Sequence, residues 1–266
     1  MLLDLFKPSR AKSPQALAQR IAEKIAAAPV EPAPGPYIFI ERLFPDDLYT
    51  EVQQHFALTA PLFKEKVHPT GERYFGSYAD RLEIGLHDLH QLRSPLAAFW
   101  DEIFRALKSA PVFTAILEKF RPGFEARFGT DAATPALRDR IQRTLLLCHH
   151  RPGYHVGPHT DTPRKVLSCI INCAERDGLE HLGTAMYLPK QKGLTNKGTD
   201  HFDPALFERI RVVPFRPNSA LIFFCEDALF HGVELLTEET LQGSNRPNIQ
   251  YNLWDNNAIA QSAQAQ

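Results

Sequence analysis

The chain has 266 residues, enough for one large domain or two small ones, and its 44% apolar and 23% charged residues are ordinary for a globular protein. A formal net charge of −1 excludes a general electrostatic pull toward nucleic acid or a membrane surface. No apolar run approaches the ~20 residues that a bilayer span needs.

The opening stretch, MLLDLFKPSR, interrupts its apolar residues with Asp4 and Lys7 and lacks the apolar region of a signal peptide. The expected location is therefore cytoplasmic. Residues 13–28, SPQALAQRIAEKIAAA, predict a helix: Ser13 can cap it, Pro14 suits its first turn, and Leu17, Ile21 and Ile25 recur every four residues. PVEPAPGP follows, a stiff irregular connection that would let the first helix be an appendage. Residues 1–36 form one expected unit on this basis.

From Tyr37 the sequence becomes globular. YIFIERLF is strand-like, and PDDLYTEVQQHF reads as a helix with acids in its first turn. SPLAAFWDEIFRALKSA and PVFTAILEKFRPGFEARFG read as two further amphipathic helices, with Trp100, Phe104, Phe113, Phe120 and Phe124 as core. Residues 37–139 thus form a helical part.

The texture changes near Arg140. IQRTLLLCHH, RKVLSCIINCA, GTAMYLP, IRVVPF, SALIFFCE and RPNIQYNLW are short β-rich or apolar runs separated by turn residues. Strands at this spacing point to a sandwich or barrel rather than βαβ units. The expected fold is α+β, mainly β: a jelly roll over 140–256 with the N-terminal helices packed on one sheet, and a fraying tail over 257–266. Residues 190–210 interrupt the strands as a long loop with one helical turn near DPALFERI, the kind of loop that serves as a lid. Cys169 and Cys173 lie on one strand face but roughly 13 Å apart, too far to bridge. With Cys148 and Cys225 they read as reduced thiols.

PHTDTPRK places His159 and Asp161 one residue apart, and SALIFFCEDALFHGV places His231 just after an apolar strand. Two imidazoles and a carboxylate match a facial triad, which grips Fe(II) on one side and leaves the other positions open. A structural zinc site would instead close all four positions. Arg246, the one basic residue after His231, opens the β-like run RPNIQYNL. A buried guanidinium there matches a carboxylate bidentately.

The order RPGYHVGPHTD, KVLSCIINC, GTAMYLP, VVPFRPNSALIFFCEDALFHGV, RPNIQYNL resembles the Fe(II)/2-oxoglutarate-dependent oxygenases, particularly their prolyl-hydroxylase-like branch, from Thr144 to Leu253. The resemblance implies a double-stranded β-helix. It implies Fe(II) held by His159, Asp161 and His231, and 2-oxoglutarate held by Arg246. O2 and a small-molecule or peptide substrate would be the other partners, and the outcome would be hydroxylation with release of succinate and CO2. Asn172 and Arg151 fall near places where that branch carries active-site tyrosines, so both are candidates for the 2-oxoglutarate site, and both argue against prolyl hydroxylation itself. The fourteen residues between His231 and Arg246 are more than is usual in the family, the excess TEETLQGSN reading as an enlarged hairpin turn.

Two other readings compete. One is a cupin-type jelly roll, a metal-dependent isomerase or a binding protein that needs no 2-oxoglutarate. The other is a catalytically silent interaction protein acting through its helices. Arg151, Arg164 and Lys165 beside the triad could receive an acidic substrate or could be solvated charges. His149 and His150 face opposite ways on a strand, so at most one can enter the barrel.

Overall fold

The computed structural model describes residues 13–65, 76–77, 80–129 and 135–257. The expected fraying tail lies outside these from residue 258 onward, as does the opening decapeptide. Among these residues two antiparallel sheets face each other. The larger has seven strands in the order β1-β10-β7-β12-β5-β4-β2, the smaller five in the order β3-β6-β11-β8-β9. In chain order these are β1 (Tyr37–Ile40), β2 (Lys64–Glu65), β3 (Gly76–Ser77), β4 (Arg81–Gly85), β5 (Ile141–His150), β6 (His155–His159), β7 (Lys165–Asn172), β8 (Thr184–Pro189), β9 (Phe207–Val213), β10 (Ser219–Phe224), β11 (Phe230–Val233) and β12 (Arg246–Asp255). This is a mainly β jelly roll with helices on one sheet.

Alternation along the strands of the large sheet sorts its two faces. On β12, Ile249, Tyr251 and Leu253 point outward into the helices, while Gln250 and Asn252 point inward to a cavity. On β7, Leu167, Cys169 and Ile171 go outward and Ser168 and Ile170 inward. The outer face is covered by α1 (Pro14–Ala27), α2 (Asp46–Thr59), α3 (Leu86–Gln91), α4 (Ala97–Leu107), α5 (Ala110–Lys119) and α6 (Arg121–Phe128), which share one apolar core with it. Trp100 sits wholly inside this layer and donates its indole N–H to Thr59 Oγ1 at 3.0 Å.

Three expectations change. The first helix is no appendage: Leu17, Ile21 and Ile25 are buried in the main core, and Lys119 on α5 donates to the Ala26 and Ala28 carbonyls that end α1. The stretch PVFTAILEKFRPGFEARFG is two helices rather than one. Pro122 has no N–H to continue the ladder, and the chain breaks at Phe120 before starting again. The strands are not confined to 140–256 either, because β1 pairs with β10 and β4 with β5.

The excess residues before Arg246 form a one-turn helix, α7 (Glu238–Leu241), capped by Thr237 Oγ1. The four cysteines are free thiols. Among the described residues no helix is long and apolar enough to cross a membrane.

Candidate metal centre

His159 closes β6, and His231 lies directly across from it on the antiparallel partner β11. Opposed residues on paired strands have Cβ atoms about 5 Å apart, so side chains of one face meet; here the two ring centroids are 4.4 Å apart. Gly232 lets the strands close in: a Cβ there would stand 2.5 Å from the Val156 carbonyl oxygen. Asp161, two residues past His159 at the start of the following turn, brings its carboxylate back to the same point. One ligand atom from each of His159, Asp161 and His231 lies within 4.8 Å of the others.

The surroundings set the protonation of these groups. His159 Nδ1 lies 3.0 Å from the Gly157 carbonyl, and His231 Nδ1 lies 3.2 Å from that of Leu229. A carbonyl only accepts, so each Nδ1 carries the hydrogen and each Nε2 keeps a free lone pair. Burial holds both rings below their ordinary pKa, hence neutral, which is the form that binds a metal. Burial alone would raise the pKa of Asp161. Lys165, His231 and His159 outweigh it, and the carboxyl stays ionised well below its usual range. Asp161 Oδ2 accepts from Ser168 Oγ at 2.8 Å and Cys225 Sγ at 3.3 Å, and Oδ1 accepts from Lys165 Nζ at 3.2 Å. Two neutral imidazoles and an ionised carboxylate converging within bonding reach fit a divalent ion with open positions.

The long loop after β8 is not a free lid. Leu194 and Phe202 pack on the outer face of the small sheet against Tyr187, Phe207 and Phe230. Thr160 Oγ1 donates to the Asn196 carbonyl at 2.7 Å and accepts from Gly198 N at 3.3 Å, while Phe202 N donates to the Pro158 carbonyl. His201 lies beside His159, with ring centroids 4.5 Å apart. The loop therefore buttresses the segment that carries two of the triad residues. From the other side, Arg127 on α6 donates to the carbonyls of Pro163 and Lys165. The expected helical turn is a single 3-10 turn, Pro204–Leu206, after which FERI is strand rather than helix.

The triad opens onto a cavity of about 100 Å³ between the sheets, lined also by Arg81, His150, Tyr154, Lys165, Thr184 and Arg246. Arg246 is 3% exposed. Its Nε donates to the Leu182 carbonyl at 2.6 Å, its Nη2 lies 3.3 Å from Thr184 Oγ1, and its Nη1 lies 3.3 Å from His150 Nδ1. Burial lowers its pKa to about 10, so it stays a cation at neutral pH. Among the described residues no carboxylate reaches it. A buried cation without an acid is expensive unless a ligand supplies the anion. Arg81 Nε, His150 Nε2 and Asn252 Oδ1 are also buried without partners among the described residues. Such atoms mark a cavity built for a polar ligand. A dicarboxylate that chelates a metal with one end and meets Arg246 with the other fits this lining.

The other two sequence candidates lie elsewhere. The Arg151 side chain is 42% exposed and pairs with Glu65 at 3.3 Å, because the inward position on β5 belongs to His150. Asn172 is buried inside the barrel but beyond the cavity, where it donates to Ser219 Oγ at 3.0 Å. Sequence reasoning missed Arg81. It sits on the short strand β4, in register with His150 and Arg246 on the next two strands, and meets Glu83 at 2.8 Å. The cue was the alternation R-L-E-I, whose polar side faces the cavity.

No family model matches the sequence, and no curated protein matches it. Solved structures do. A prolyl 4-hydroxylase from Phytophthora capsici is 16% identical, aligned over 94% of this chain and 68% of that one with a TM-score of 0.53. A prolyl hydroxylase from Trichoplax adhaerens, solved with a peptide fragment of the hypoxia-inducible factor oxygen-degradation domain, is 12% identical over 93% and 94%, with a TM-score of 0.52. The chain has the double-stranded β-helix fold of the Fe(II)/2-oxoglutarate-dependent oxygenases.

Proposed function

We propose that this chain is an Fe(II)- and 2-oxoglutarate-dependent oxygenase that hydroxylates a C–H bond of a small-molecule or peptide substrate. One observation carries the reading: the three metal donors and the guanidinium of Arg246, which meets no acid among the described residues, open onto the same cavity. A metal-only jelly roll would need the donors but has no use for the buried cation.

His159, Asp161 and His231 would hold the iron on one face, and Arg246 with Thr184 would hold the far carboxylate of 2-oxoglutarate. When bound, iron and 2-oxoglutarate supply the oxidising chemistry with O2, and 2-oxoglutarate leaves as succinate and CO2. The Gly157 and Leu229 carbonyls keep the Nδ1 protons in place, so both Nε2 atoms stay available without a proton to displace. Ser168 and Cys225 fix the orientation of the Asp161 carboxylate. Val156, Ile170 and Phe223 supply apolar wall that keeps water from the reacting centre.

The test is an anaerobic titration of 2-oxoglutarate into the Fe(II)-loaded protein, following the visible metal-to-ligand band. A saturable band that disappears in His231→Ala supports the assignment. If the wild type shows no band at saturating 2-oxoglutarate, the oxygenase reading fails and a metal-only jelly roll replaces it.

A further inference from the structure

Among the described residues three cations line the metal cavity: Arg81, Lys165 and Arg246. Glu83 answers Arg81 at 2.8 Å. Under the function proposed above, the far carboxylate of 2-oxoglutarate answers Arg246. Lys165 is different. Its ammonium is answered by Asp161, at 3.2 Å from Oδ1, and Asp161 is the carboxylate of the metal set.

The two oxygens of Asp161 are not equivalent. Ser168 and Cys225 both donate to Oδ2, so Oδ1 is the oxygen left for a metal, and Oδ1 is the one Lys165 contacts. A dication held there would be neutralised by Asp161 together with the near carboxylate of 2-oxoglutarate. The ammonium would then lose its partner and stand beside a dication. At 13% exposure of its side chain, water screens that repulsion poorly. Among the described residues no second acid is within ion-pair distance of Lys165. Its other neighbour is the Trp254 ring, 5.6 Å away, and the nearby Asp255 is held by Arg140 through two bonds of 2.8 and 2.7 Å. Of the cations flanking the triad in sequence, Arg151 pairs with Glu65 on the surface and Arg164 is exposed, so Lys165 is the one that faces the cavity.

We propose that Lys165 anchors a single carboxylate of the substrate beside the metal, making the substrate a carboxylic acid: an amino acid derivative, or a peptide with a free carboxylate near the oxidised carbon. The inference rests on the oxygenase reading above. One leftover positive charge matches one carboxylate. A phosphate monoester carries close to two negative charges at neutral pH and would overcharge the site. A lysine also makes a point contact rather than the two-pronged grip with which arginine holds a phosphate.

The experiment uses the full chain, anaerobic and loaded with Fe(II) and 2-oxoglutarate, with calorimetric titration of three probes. These are N-acetylglycine, its neutral amide N-acetylglycinamide, and methyl phosphate. N-acetylglycine is expected to bind roughly tenfold or more tightly than either of the others, a difference of about 1.4 kcal/mol or more. Lys165→Met removes the preference and Lys165→Arg restores part of it. Lys165→Met also leaves 2-oxoglutarate affinity unchanged and binds Fe(II) at least as tightly as wild type, since a repelling charge is gone. A residue that merely held Asp161 in place would instead weaken Fe(II) when removed. No acid preference in the wild type, a preference that survives in Lys165→Met, or a loss confined to 2-oxoglutarate or Fe(II) overturns the proposal. Absence of the visible band in the wild type overturns the oxygenase reading first, and this inference with it.

Discussion

Gly198 lies so close to Thr162 that a Cβ at position 198 would stand 2.5 Å from the Thr162 nitrogen and Cα. The contact is to backbone, which cannot swing aside as the end of a side chain can. Gly198 also has φ +65, a conformation other residues adopt at a cost. Gly198→Ala is therefore expected to push the segment carrying His159 and Asp161 off its position. Strain of this kind is worth roughly 1–3 kcal/mol in stability. Displaced ligands should weaken Fe(II) by roughly ten- to a hundredfold, the range seen when groups that orient metal ligands are lost. Fe(II) titration alongside thermal melting checks this. Unchanged metal affinity in a folded Gly198→Ala protein would mean the loop does not position the site.

Thr160→Val tests the same buttress without touching the backbone geometry. It removes the bond to the Asn196 carbonyl and leaves Gly198 N without its acceptor. Buried groups left unpaired cost roughly 1–3 kcal/mol. Amide exchange should accelerate in residues 159–162 and 196–202 together, while the helices on the large sheet keep wild-type protection. Acceleration spread evenly over the protein would argue against a local buttress.

Much of this candidate site could be proposed from the sequence because its signals are local. H-x-D at the end of a strand, a histidine after an apolar strand and a lone arginine opening the next one survive without knowledge of the fold. The fold class was legible for a similar reason, since runs such as SALIFF and RPNIQYNL alternate or stay apolar at strand length. What escaped depends on pairing across the chain. Arg81 lines the cavity only because β4 joins the sheet beside β5, and a five-residue strand in a charge-rich stretch has little signal of its own. Arg151 was misplaced by one residue, and on a strand one residue exchanges the interior for the surface. The loop of residues 190–206 looked free because its polarity is visible in sequence and its bonds to Pro158 and Thr160 are not.

The buried histidines predict an acid-side loss of stability. His150 sits between Arg246 and Arg81 in register, beside His149, and stacks on Tyr154 at 4.1 Å. Burial first, then Arg246 and Arg81, lowers its pKa well below the ordinary 6.5. The unfolded chain therefore takes up a proton below about pH 6.5 that the folded chain refuses. The unfolded state binds more protons, so stability falls as pH falls, by up to ~1.4 kcal/mol per unit for each such group. His159 and His231 act in the same direction. Asp161, whose pKa is depressed, adds stability that is lost only further down, below its ordinary 3.8. Urea unfolding of chelator-treated protein between pH 7.5 and 5 should show the decline, and His150→Gln should flatten it. A variant with the wild-type slope would remove His150 from this account.

Arg246 gives the sharpest separation of folding from function. In the protein alone, its guanidinium is buried with a carbonyl, a hydroxyl and an imidazole for company, and no acid among the described residues. Replacing a buried charge by an apolar side chain of similar size is often neutral or stabilising. Arg246→Met loses the bond to the Leu182 carbonyl but also loses the desolvated charge, so its melting temperature should match or exceed that of wild type. Co-substrate binding should move the other way. Leaving the far carboxylate of 2-oxoglutarate buried without its partner costs about 3–5 kcal/mol. That corresponds to a rise in Kd of roughly two to three and a half decades. Arg246→Lys keeps the charge without the fork and should fall between. Fe(II) affinity should be nearly constant across the series, because no metal ligand is touched. Anaerobic titration of 2-oxoglutarate and a melting curve on the same samples decide the matter. Weaker co-substrate binding with equal or higher stability identifies a residue kept for its ligand. Equal binding in wild type and Arg246→Met would leave the metal assignment standing and send the search for the carboxylate partner to Arg81, the other arginine that lines the cavity among the described residues.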